Sequence, residues 1–82
     1  MGTSIEQIRD WFEAGRKFGS THMIVVCDNF DFEDYPVYVR PGEAVRDVIK
    51  KYDGVNMQSI MEVYSYRRTW EEQTTGRVFN LD

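Results

Sequence analysis

Five apolar residues in a row, Met23-Ile24-Val25-Val26-Cys27, set the strongest constraint on how this chain folds. The run is rich in β-branched residues, and it is far shorter than the roughly 20 residues that a membrane-spanning helix needs. Residues 22–28 therefore read as a strand buried on both faces. Such a strand must be paired along its edges and covered above and below, within a chain of 82 residues. A chain of that size removes about 60% of its unfolded surface from water, enough for one domain around one small core. The apolar share of 41%, with five Phe, five Tyr and two Trp, supplies that core and argues against disorder.

The flanking segments offer the partners. Ile5, Ile8, Trp11 or Phe12, and Ala14 to Gly15 recur at helical spacing. Thr3 or Ser4 can cap this helix, Glu6 or Gln7 completes a capping box, and Gly19 ends it. Beyond the apolar run, Tyr35, Val37 and Val39 alternate with Pro36, Tyr38 and Arg40, the pattern of a half-exposed strand. Pro36 has no amide proton and belongs at an edge or a strand start. The two strands form a hairpin connected through residues 29–34. A second helix over residues 43–52 follows Pro41-Gly42, lines one side with Ala44, Val45, Val48, Ile49 and Tyr52, and stops at Asp53-Gly54. Asn56 could cap one turn over residues 57–59. Residues 60–66 read as a third strand on their Val and Tyr content, although periodicity leaves a helix over 55–66 open. Alternation in that strand groups Ile60, Glu62, Tyr64 and Tyr66 on one face. Thr69-Trp70-Glu71-Glu72 repeats the capping box and opens a short helix closed by Gly76, and residues 77–81 are a final strand or a tail. The expectation is one α+β domain, 1–82, ordered helix-strand-strand-helix-strand-helix, with helices packed on a three-stranded, mainly antiparallel sheet. Less order is expected in residues 66–82.

Fourteen acids against ten bases give a net charge of −4. That balance argues against a nucleic-acid or anionic-membrane surface. Four of the acids crowd into Asp28-Asn29-Phe30-Asp31-Phe32-Glu33-Asp34-Tyr35, and no basic residue occurs from Met23 to Val39. Crowded carboxylates repel one another. Three settings make the crowding tolerable. One is a solvated hairpin tip whose Phe30 and Phe32 fold back onto the core; another is a basic protein partner. The third is a divalent cation held by Asp28, Asp31, Glu33 and Asp34. An EF-hand loop is excluded, because Phe30 and Phe32 stand at liganding positions and the turn glycine is missing. Trp11, Tyr35, Tyr38, Tyr52, Tyr64, Tyr66 and Trp70 either complete a core short of aliphatics or form an exposed interface.

Other chemistries fail on named residues. His22 and Cys27 are the only histidine and cysteine, too few for a zinc site. Five positions apart on one strand, they face opposite sides and form no nucleophile–base pair. Phosphate-binding glycine motifs and the G-x-S-x-G elbow are absent. Asp28, at the end of a buried strand, is the best single catalytic candidate, yet the next strand offers only Arg40 beside it. A lone cysteine suits a reducing compartment. The start Met1-Gly2-Thr3-Ser4-Ile5-Glu6 shows neither a signal peptide nor, with Glu at position 6, an acylation pattern. A cytoplasmic protein without a cofactor is expected.

Taken together, His22-Met23-Ile24-Val25-Val26-Cys27-Asp28, Asp34-Tyr35-Pro36-Val37-Tyr38-Val39, Tyr52-Asp53-Gly54 and Asn56-Met57-Gln58-Ser59-Ile60-Met61-Glu62-Val63-Tyr64 resemble small uncharacterised proteins encoded by bacteriophages and prophage-bearing bacteria. The resemblance covers most of the chain up to Tyr64. It implies a phage or host-cytoplasm setting and brings no catalytic residues. The expected function is a non-enzymatic, acidic interaction protein that binds a host or phage protein through Asp28, Asp31, Phe32, Glu33, Asp34, Tyr35 and Tyr38. A divalent-metal- or small-ligand-binding domain using the Asp28–Asp34 carboxylates is the alternative, and an enzyme of unknown type is third. A homodimer through an unprotected 60–66 edge is a further possibility.

Overall fold

In the computed structural model, which describes residues 3–82, β1 (His22–Asp28) is the middle strand of a three-stranded sheet. The order is β2-β1-β3, with β2 (Glu33–Val39) and β3 (Gln58–Ser65) both antiparallel to β1. Met1-Gly2, which open the signal and acylation readings, lie outside the described residues. Side chains of β1 alternate between two cores. Met23 and Val25 meet Ile8 and Phe12 of α1 (Ile5–Lys17) and Trp70 of α3 (Trp70–Gln73), together with Tyr64 and Val78. Ile24 and Val26 point the other way, to Val45 and Val48 of α2 (Val45–Tyr52), with Val39 and Val63. Met23 through Val26 are at most 1% exposed, as a strand covered on both faces requires. The molecule is thus an α+β domain with a helical layer on each side of the sheet.

Local signals explain the helix ends. Ser4 caps α1 by accepting from Gln7 N at 3.2 Å. At the other end Ser20 N reaches Gly15 O and Gly19 N reaches Arg16 O, both at 3.1 Å, while Gly19 takes φ +73°. That left-handed residue lets the chain leave the helix with its last carbonyls satisfied. Ile8, Phe12 and Gly15 form the buried stripe of α1, and Ile5 is exposed. Thr69 and Glu72 complete the capping box of α3, which is four residues long. The second helix begins at Val45 rather than at residue 43. The Glu43 carboxylate accepts from Arg40 N and Glu43 N donates to Arg40 O, so residues 40–43 form a turn first.

Both outer strands start two residues earlier than expected. Glu33 and Asp34 pair with Asp28 and Cys27, drawing half of the acidic stretch into β2. Residues 57–59 form no helical turn, because Asn56 and Met57 adopt left-handed φ values of 52° and 60°. In β3 the register skips: Val25 faces Glu62 but Val26 faces Ile60, leaving Met61 as the extra residue of a bulge. The expected grouping therefore breaks. Tyr64 and Tyr66 lie on the α1 side, where the Tyr64 hydroxyl donates to Glu62, whereas Ile60 crosses to the α2 side. The Tyr64 and Trp70 rings stack at 5.3 Å and those of Phe12 and Tyr66 at 4.4 Å, so these aromatics complete the core.

Residues 66–82 are tied down rather than loose. Val63 N donates to Val78 O and Asn80 N to Val63 O, making a short parallel bridge on the outer edge of β3. The buried Gln73 side chain accepts from Ser65 N and donates to Ser65 O, each at 2.9 Å, and accepts from Asn80. Arg68 pairs with Asp82 at 3.0 Å. The edge read as open for a homodimer is thus occupied at Val63 by the chain's own tail.

Candidate functional site

The β1–β2 loop, residues 29–32, projects from one end of the sheet. The Asp28 carboxylate accepts from Phe30 N at 2.9 Å, and Phe32 N donates to Asp28 O at 2.7 Å. Phe32 closes the loop with φ +58°, a left-handed conformation that costs a residue with a side chain about 1–2 kcal/mol. Next to it lies the α2–β3 loop, joined by Asn29 N donating to Met57 O at 2.8 Å. Phe30 is 72% exposed and Phe32 65%. The reading in which these rings fold back onto the core therefore fails: a four-residue loop pinned through Asp28 holds them beyond both apolar clusters.

Phe32 also forms one wall of a shallow groove of about 380 Å³ between this loop and the N-terminal half of α1. Trp11 and Gln7 face it from the helix, and Asp31, Glu33 and Asp34 line the remaining side. Among the described residues the ion pairs are Arg9–Glu71, Arg16–Glu13 and Arg68–Asp82, so the hairpin carboxylates take part in none. The site thus combines two aromatic rings from different elements with three carboxylates that form no ion pair among the described residues. Such a combination attracts cations by charge and by the negative faces of the rings.

The other expected site residues go elsewhere. Asp28 spends its carboxylate on the loop's own amides. Tyr35 turns to the α2 side, and its hydroxyl donates to Gln58. Burial raises its pKa, and the neighbouring Tyr52 and Asp28 act in the same direction. Tyr38 lies toward the far end of β2, with its ring on the α1 core and its hydroxyl donating to Trp11 O at 2.7 Å. The four carboxylates do not converge on a point, and among the described residues no three His, Cys, Asp or Glu side chains could together hold a metal ion. Cys27 and His22 do face opposite sides. Burial pushes the Cys27 thiol up, as do the nearby Asp34 and Asp28 carboxylates. Both ring nitrogens of the buried His22 have partners, Thr21 Oγ1 and Asp82 O, each at 3.0 Å.

Thr3, Gln7 and Trp11 are the groove residues that were not expected from the sequence. The available signal was the tie between Trp11 and Phe12. Adjacent helical residues lie about 100° apart, so once Phe12 fills the core Trp11 must sit at its margin. No family model, curated protein or solved structure matches the chain. Among the described residues no helix is long and apolar enough to cross a membrane.

Proposed function

We propose that this chain is a small, non-enzymatic interaction protein whose acidic, aromatic hairpin binds a basic segment of a host or phage protein. One observation carries the reading: Trp11 and the exposed Phe32 flank a groove whose other side is Asp31, Glu33 and Asp34, none of which forms an ion pair among the described residues. A Lys or Arg side chain entering the groove would meet aromatic faces and carboxylates together. Complementary charge of this kind also speeds encounter and excludes acidic competitors. The single Cys27 supports a reducing, cytoplasmic setting.

The test is a titration of fluorescent Lys/Arg-rich peptides, read by anisotropy. We expect binding that weakens as salt rises, falls about tenfold with Phe32→Ala, as loss of a cation–π contact of 1–2 kcal/mol implies, and disappears when Asp31, Glu33 and Asp34 are all made amides. Equal binding by the neutralised protein, or none to any basic peptide, would overturn the reading. Thermal melts in Ca²⁺, Mg²⁺ or Mn²⁺ separate it from cation binding, because a ligand selective for the folded state raises its melting temperature. No shift is expected.

A further inference from the structure

We infer that a second copy of this chain is itself a ligand, with Phe30 of one copy seated in the concavity between Phe18, Tyr38 and Pro41 of the next and Arg40 facing the incoming Asp31. Phe18 and Phe30, at 73% and 72%, are the two most exposed large apolar side chains among the described residues. They serve opposite shapes. Phe30 tops the projecting β1–β2 loop, while Phe18 walls a concavity of about 530 Å³ together with Ser20, Tyr38, Arg40 and Pro41. Its ring stands edge-on to Tyr38, 6.0 Å between centroids, so an incoming ring would extend an aromatic pair already in place.

The charges match as well. The loop carries Asp31, with Glu33 opening β2 beside it, and among the described residues Arg40 has no ion-pair partner. The two features lie at opposite ends of β2, seven residues long and hence about 20 Å from end to end. A chain cannot fill its own concavity across that span. The contact is therefore between copies and joins unlike surfaces, so two copies can seat each other reciprocally in an antiparallel pair or successive copies can join head to tail. It shares Asp31 and Glu33 with the proposed basic-segment groove but adds Phe30 and the far end of the sheet, whereas the groove's aromatic walls are Phe32 and Trp11.

Sedimentation equilibrium tests this directly. The weight-average mass is expected to rise from 9.7 kDa to at least twice that between about 10 µM and about 1 mM. Phe30→Ala and Arg40→Glu should each stay monomeric, and Phe18→Ser serves as a second concavity variant should Arg40→Glu fold poorly. An equimolar mixture of Phe30→Ala and Arg40→Glu should stop at two chains, because only one productive junction remains. Phe32→Ala should associate like the unmodified chain. A monomer at every concentration, association of the single variants, or a mixture that stays monomeric overturns the inference. Peptide binding by such a monomer would leave the proposed function standing.

Discussion

Gly15 sets how closely α1 approaches the sheet. A Cβ there would fall on the Tyr66 hydroxyl and within 2.5 Å of Tyr38 Cε1. Neither ring is free to retreat, because their hydroxyls donate to Phe12 O and Trp11 O at 2.7 Å. Helix propensity favours Ala over Gly by about 1 kcal/mol, but overpacking a tight contact costs about 1–3 kcal/mol. Gly15→Ala should therefore lower the urea midpoint with little change in slope. Gln73 holds a different kind of position. Gln73→Ala would strip the buried Ser65 N of its partner, worth about 1–3 kcal/mol when left unmet, and leave Ser65 O only the longer 3.4 Å bond from Arg68 N, and a melt should show the loss. Neither role was legible in the sequence. Gly15 at a helical spacing looks like any small residue until Tyr66, distant in sequence, is placed against it.

At the scale of elements, what could be read depended on how local the signal was. The caps at Ser4 and Thr69, the glycine stop at Gly19 and the apolar run in β1 all act within a few residues, and they fall where the sequence places them. The face assignment in β3 failed at Ile60 because strand parity is set by the partner, and the Met61 bulge exists only in the pairing with β1. The groove was half legible for a related reason: its carboxylates are contiguous in sequence, while Trp11 comes from another element. The tail bridge yields the prediction at this scale. Deleting residues 77–82 removes Val78, which is 2% exposed, and frees both backbone groups of Val63. An uncovered strand edge recruits other strands. The truncated chain should melt lower and scatter light on standing; unchanged melting and clear solutions would show that the tail contributes little.

For the whole molecule, titration frames the range of stability. Burial raises Tyr64 and Tyr66, with Tyr35 and Tyr38 shifted the same way. A raised folded-state pKa means stability that is complete below the unfolded value near 10 and is lost as pH climbs beyond it. Glu72, held down by its bonds with Thr69, and Asp82, held down by Arg68, act in the opposite sense. Their contribution is present above the ordinary carboxylate range and lost as pH falls through it. Melting temperature against pH should thus show a plateau from about 5 to about 10, and Arg68→Ala should soften the acid limb. The strand order β2-β1-β3 adds a constraint in time. During synthesis β1 and β2 emerge well before β3, and residues 58–82 follow over about 1–5 s at 5–20 residues per second. Throughout that interval the most apolar strand has one open edge. A ribosome stalled between residues 57 and 66 would hold a hairpin that can neither finish folding nor hide Met23 to Val26, and such a nascent chain is a target for chaperones and proteases.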